Sequence, residues 1–434
     1  MRDFINDTAD VETTTVSQNG VKLHSLKSRG LHGFCLCLYA KAGVLYENDT
    51  QNGISHFVEH IVFRNINSLM GGKLYDTLDA AGLTFTAATY KEFMQFCITG
   101  ESSKLALGAE IITKLFEPFS KELLKGDFET EKERIRAEIR EYDEKSSLDY
   151  ALKKKVFSGT NLSDMITGSL GSVSKITLSK CETERKRIFS KDNFFFYLTG
   201  NYRDQDVACV LELCEKYDFS KNDSRNNVSR VPSEYMNRSG GVVTKDSAYC
   251  MLEMSFDMDV EKFPKPVRGL FYDMMFAGEN CRFFREMSEN MGYIYSYDAK
   301  IEEYKNLGNL TVSYEVSYKN LYESLEAAVK IFGSIKKDAK GLDCAKVFYT
   351  DNACLMLDNA EELNFNMAYE NYIFGDFSES IDARREKYHR VTENEIRNLA
   401  RSMLMTKNLV FGIKGRKKRF DTEKIEKILK QLDK

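Results

Sequence analysis

An α+β chain built from two homologous halves is what this sequence predicts, and three observations lead there. Apolar runs of strand character open each half, long amphipathic helical segments follow, and both halves close in the same way. The opening runs are "HGFCLCLYAKAG" at 32–43 and "SAYCMLEMSFDMDV" at 247–260. The closing segments match best. "ITLSKCETERKRIFSKDNFFFYLTGN" and "VTENEIRNLARSMLMTKNLVFGIKG" each run from a Thr-capped helix through a Lys/Asn turn into an apolar strand ended by Gly200 or Gly415. Each half is therefore expected to be a mostly antiparallel sheet packed against helices.

Punctuation sets the boundary between them. Only four prolines occur, and three of them (232, 264, 266) fall in or soon after the polar stretch "FSKNDSRNNVSRVPSEYMNRSGG". The predicted division is an N-terminal domain over 1–218, a linker over 219–241 and a C-terminal domain over 242–434.

Composition narrows the function classes. At 434 residues with 42% apolar side chains, the chain can fill substantial cores. Its 62 Lys and Arg balance 66 Asp and Glu, so a net charge of −4 supplies no electrostatic reason for a nucleic acid partner. The start has no apolar core of signal-peptide length, and no stretch approaches eighteen apolar residues, which predicts a cytoplasmic protein without a membrane span. Ten cysteines lie mostly in apolar segments and form no C-x-x-C, as expected of buried reduced thiols. Cys35 and Cys37 fall on one face of a strand, where packing accounts for them.

The chemistry concentrates in "NGISHFVEHIVFRN", residues 52–65. Ser55 is placed to cap a helix whose Ile54, Phe57, Val58, Ile61 and Val62 face the core, leaving His56, Glu59, His60 and Phe63 on an adjoining face. Two imidazoles four residues apart sit one above the other and can bind one Zn²⁺, while the intervening carboxylate can deprotonate water at the open position. This is the HxxEH order of the inverzincins. His24, His32 and His389 have no acidic partner at helical spacing and are expected to be structural or surface residues. A catalytic zinc takes three protein ligands, and the strongly helical segment "FETEKERIRAEIREYDEKSSLDY" (128–150) offers carboxylates. Glu131 and Glu138 stand two turns apart on one face beside Ile135. Periodicity alone leaves Glu131, Glu138 and Glu141 all open as the third ligand.

Nearly the whole chain resembles the insulinase/pitrilysin superfamily of inverzincin metallopeptidases (peptidase family M16), in its processing-peptidase-like single-chain branch. The stretch "GVLYENDTQNGISHFVEHIVFRN" is similar to the family's zinc motif. By that resemblance His56 and His60 are zinc ligands and Glu59 the general base. The family's E-r-x-x-V-x-x-E pattern implies Glu138 as third ligand, with Glu131 orienting a histidine or the helix. "GGKLYDTLDAAGLTFTAATYKEFMQF" resembles the strand edge onto which family substrates add, which implies substrate binding by Thr86, Ala87, Ala88 and Thr89. Thr86 stands where the family usually has Asn. In "GENCRFFREMSENMGYIYSY", Tyr295 falls on a tyrosine that helps polarise the scissile carbonyl, but its partner arginine is replaced by Ser288.

The resemblance thus implies a zinc-dependent endopeptidase that cleaves peptides or short unfolded segments, the chain forming one half of a clamshell. Zinc motif and Arg/Tyr pair sit on different chains in some relatives, so the loss at Ser288 implies a heterodimer with a motif-less homologous subunit, or else a homodimer. The rival expectation is a non-catalytic or partner-dependent subunit of a heterodimeric peptidase. A narrower one is maturation of a dedicated precursor peptide.

Overall fold

The computed structural model describes residues 12–434 except 49, 121–123, 125, 142–146, 220–240, 279, 280, 305, 374 and 376–378. The expected linker lies, apart from its two end residues, outside the described residues. Two compact units divide the chain: 1–143, 164–230 and 353–380 form the first, and 144–163, 231–352 and 381–434 the second.

Among the described residues the first unit holds six strands: β1 (Thr13–Val16), β2 (Lys22–Lys27), β3 (Gly33–Lys41), β4 (Thr84–Thr89), β5 (Phe93–Glu101) and β6 (Phe194–Gly200), in the order β1-β2-β6-β3-β5-β4. The second holds β7 (Gly241–Lys245), β8 (Cys250–Met258), β9 (Tyr297–Glu303), β10 (Gly308–Val316) and β11 (Leu409–Lys414), in the order β7-β11-β8-β10-β9. Beyond β1 the two orders are identical. In each sheet one parallel pairing, β2 with β6 or β7 with β11, joins the first strand to the closing strand, and the other ladders shared by the two sheets are antiparallel. The duplicated α+β architecture is therefore present, and the Thr-led helices precede the closing strands as expected: Thr177 accepts from Lys180 N, and Thr392 from Glu395 N.

Helices lie against each sheet. In the first unit, α1 (Ile54–Leu69) and α2 (Leu74–Ala81) lie between β3 and β4 in chain order, and α3 (Leu105–Ile112) and α4 (Asp127–Glu141) between β5 and β6. The apolar face of α1 buries Ile54, Phe57, Val58, Ile61, Val62 and Ile66 to at most 1% exposure among Phe96, Ile98 and Ile135. Each such side chain contributes about 1.5–3 kcal/mol, which fixes the rotation of α1 about its axis. The helix Ala360–Ala368 returns to this unit: Asn364 Nδ2 donates to Cys35 O and Tyr197 O at 2.9 Å each. The helix Leu148–Val156 instead packs in the second unit against β11. Its Leu152 Cδ1 would lie 2.3 Å from a Cβ at Gly412, so only glycine admits that approach.

The start of α1 differs from the expectation. Gly53 is its N-cap residue, with a φ of 89° that favours glycine, and Ser55 lies within the first turn. The exposed amides are met by Glu47, whose two carboxylate oxygens accept from Gly53 N at 2.8 Å and Ser55 N at 2.9 Å. Ser55 Oγ accepts from Gly43 N instead, tying α1 to the end of β3. No helix among the described residues is long and apolar enough to cross a membrane.

Glu47→Ala leaves two buried amides of α1 without acceptors. The expected cost is about 1–3 kcal/mol in stability, read as a lower urea midpoint with an unchanged slope.

Candidate metal centre

The geometry of α1 places His56 and His60 one turn apart, with ring centroids 4.7 Å from each other. From α4, Glu138 reaches between them: its Oε1 lies 3.7 Å from His56 Nε2 and its Oε2 3.7 Å from His60 Nε2. The three residues present ligand atoms that all fall within 4.8 Å of one another. At 3.7 Å these contacts are too long to be hydrogen bonds. They are close to the roughly 3.4 Å between donors that share a tetrahedral ion at about 2.0–2.1 Å. The donor set and its spacing therefore fit a zinc ion. Glu141, at the end of α4, is exposed and does not join the group.

Electrostatics set the protonation states that such binding needs. Burial, together with the neighbouring His60, holds the His56 imidazole down to about 3, so it is neutral near pH 7. Its Nδ1 is buried and has no hydrogen-bond partner among the described residues. His60 is held differently: its Nδ1 lies 3.1 Å from Glu131 Oε2. Burial pushes the Glu131 carboxyl up, but the bonds from His60 and Arg64 outweigh it and bring it down to about 2. An ionised Glu131 can only accept, so in the neutral ring Nδ1 carries the proton and Nε2 offers its lone pair toward Glu138.

Two residues that the sequence reading did not single out complete this arrangement. Arg64 Nε donates to Glu131 Oε1 at 2.5 Å and its terminal nitrogen also pairs with that oxygen, compensating a carboxylate that is only 1% exposed. Arg64 stands four residues beyond His60, so helical spacing was a usable signal for its shared face. Glu47 carried no periodic signal, because it precedes the helix it caps.

Glu59 lies on the same face of α1 and accepts a short hydrogen bond from the Thr89 hydroxyl of β4. Burial raises its carboxyl above the usual range, while the Thr89 bond and His60 oppose that rise. Thr89, named from the sequence for substrate contact, thus holds Glu59. β4 is the edge of its sheet: Thr86, Ala87, Ala88 and Thr89 pair with β5 on one side only among the described residues. Phe85 of β4 packs against Phe63 of α1 with ring centroids 4.8 Å apart and planes tilted by 49°, which couples the strand to the helix. The structure thus brings His56, Glu59, His60, Glu131, Glu138 and Thr89 together.

Tyr295 belongs to the second unit, where its side chain is 96% exposed. Ser288 falls in a π-helical segment, Arg285–Asn290. Arg282 is engaged by Ser334 Oγ and Lys340 O, and Arg285 by Glu286. The remaining histidines serve elsewhere. His24 stacks on Tyr372 at 3.6 Å, His32 is exposed, and His389 Nε2 lies 3.3 Å from Thr350 Oγ1.

Residues 33–169, which span β3 to β5, α1 and α4, match the sequence model of Insulinase (Peptidase family M16). An uncharacterized zinc protease of Bacillus subtilis is 18% identical over 393 residues, covering 89% of this chain and 94% of the relative. Among solved structures, a protease from Helicobacter pylori superposes with a TM-score of 0.80 at 12% identity, over 94% of this chain and 99% of that one. A peptidase M16 inactive domain from Pseudomonas fluorescens does so with a TM-score of 0.73 at 14% identity, over 94% and 98%. At these identities the two structures share the fold. The superfamily recognised from the sequence motifs is borne out.

Arg64→Ala leaves Glu131 buried without its main counter-charge and loosens its grip on His60. The expected result is an affinity for Zn²⁺ about 10- to 100-fold weaker, measured by competition with a chromophoric chelator.

Proposed function

We propose that this chain is a zinc metalloendopeptidase acting on peptides or short unfolded segments. The observation that carries the reading is the convergence of His56 Nε2, His60 Nε2 and Glu138 beside Glu59. A similarity to a protein named a zinc protease supports the choice of metal. When bound, zinc acidifies water and polarises a carbonyl.

The chain's own groups supply the rest. Glu59, raised by burial and oriented by Thr89, takes a proton from the attacking water and returns it to the leaving amine. An extended peptide adds to the free edge of β4 through Thr86, Ala87, Ala88 and Thr89, where backbone hydrogen bonds bind without demanding a particular sequence. Tyr295, exposed and carrying a donor hydroxyl, assists at the carbonyl oxygen.

Ser288 is the reason to expect a second subunit. The family's arginine would add positive charge where negative charge develops, and this chain has a hydroxyl there. We infer that a motif-less homologous subunit supplies the missing positive charge in a clamshell heterodimer, with a homodimer as the simpler arrangement. A second reading, a non-catalytic or partner-dependent subunit, is favoured by the same serine and by the fold shared with an inactive domain. A dedicated precursor peptide is the narrowest form of substrate the proposal allows.

Glu59→Gln is expected to lower cleavage of a quenched peptide about 10²- to 10⁴-fold while zinc content, read by elemental analysis, stays at the parent level. Equal rates for variant and parent would overturn the mechanism. A zinc-replete parent that stays inert both alone and with any co-purifying homologue would favour the second reading.

A further inference from the structure

Three cysteines meet beneath the helix Ala360–Ala368, on the face of the first unit's sheet that this helix covers. Cys35 and Cys37 project from one face of β3, and β5 sets Cys97 directly opposite Cys37 in the ladder. The three sulfurs lie within 4.8 Å of one another, with Cys35 Sγ 3.1 Å from Cys97 Sγ and 3.6 Å from Cys37 Sγ. All three residues are at most 2% exposed.

We propose that Cys35, Cys37 and Cys97 form a site for a soft, thiophilic monovalent ion, Cu(I) being the natural occupant. Three sulfurs bound at about 2.3 Å around a trigonal ion stand roughly 4 Å apart, so the pairs at 3.1 and 3.6 Å would open slightly on binding. Coordination number selects the ion. Zinc wants four ligands, and no fourth His, Cys, Asp or Glu joins the group among the described residues. Soft sulfur ligands favour Cu(I), which is satisfied by fewer donors. On binding, all three thiols release protons to solvent, so the Cu(I) tris-thiolate carries two net negative charges and no electron changes hands.

A disulfide is the competing fate of close thiols, and register disfavours it for the closest pair. Cys35 faces Thr99, so Cys35 and Cys97 are diagonal neighbours, about 7–8 Å apart at Cα, beyond the usual span of a bridge.

The cover decides how the ion enters. Tyr39 OH donates to Asn364 Oδ1 at 2.9 Å, and Asn364 Nδ2 donates to Cys35 O and Tyr197 O, which pins the helix over the sulfurs. Copper is therefore captured as the chain folds, and exchanges slowly afterwards.

The test uses the full chain with His56→Ala and His60→Ala, which removes the competing imidazole pair, refolded without oxygen in Cu(I) buffered by bicinchoninate. Native mass spectrometry should find one copper retained, and Cys35→Ser or Cys97→Ser should each cut retention at least tenfold. Cys344→Ser, at an exposed cysteine, should leave retention unchanged. If the serine variants fail to fold by circular dichroism, X-ray absorption on the parental sulfur set decides instead. Three sulfur scatterers support the site, and nitrogen or oxygen in the first shell overturns it. Undiminished copper in Cys97→Ser, or a Cys37–Cys97 disulfide already present in protein isolated without added oxidant or reductant, would also overturn it.

Discussion

The hydrogen bond between His60 and Glu131 is the interaction on which the rest of the candidate metal centre depends. A helix can set two imidazoles four residues apart, but it does not decide which ring nitrogen carries the proton or where the ring points. Glu131 decides both for His60, because an anion at the Nδ1 side leaves Nε2 free to face Glu138. A carboxylate buried to 1% exposure is costly by itself, and Arg64 makes it tolerable. His56 is kept neutral by burial and by the neighbouring His60. Two histidines on one helix are thus prepared for a cation by opposite means, one by a charged partner and one by desolvation.

The scaffold delivers these groups by ordinary packing. Six core residues of α1 set its rotation, Glu47 anchors its first turn, and Phe63 against Phe85 holds β4 beside it. That last contact matters because β4 contributes the Thr89 hydroxyl to Glu59 and, by its free edge, the surface an extended peptide would use. In the proposed mechanism, proton transfer and substrate alignment are therefore both coupled to the packing between one helix and one edge strand.

Much of this was legible in the sequence, for identifiable reasons. Strands such as 32–43 announce themselves because both faces are buried and the run is continuously apolar, and the paired Thr-led endings exposed the duplication. The spacing of His56, Glu59 and His60 follows directly from helix geometry. Glu138 could not be separated from Glu131 and Glu141 by periodicity, because a third ligand is chosen by tertiary packing of α4 on α1. Ser55 read as a cap because its chemistry suits one, whereas Glu47, outside the helix, does that job from a loop no local pattern specifies. The cysteine trio was half visible: Cys35 and Cys37 share a strand face, but Cys97 joins them only through the β3–β5 ladder. Likewise, the helices Leu148–Val156 and Ala360–Ala368 pack in units that their chain positions do not announce.

The second unit shows how a fold can be kept while its chemical content drifts. Beyond β1 its sheet repeats the first in order and polarity, yet Ser288 stands where the family resemblance implies an arginine, and Tyr295 is exposed. The zinc reading rests on the first unit alone. Anomalous diffraction at the zinc edge from the metal-loaded protein tests it most directly. The account predicts one peak, coordinated by His56 Nε2, His60 Nε2 and Glu138, with Glu131 still on His60 Nδ1. Zinc bound elsewhere, or bound without Glu138, would contradict it.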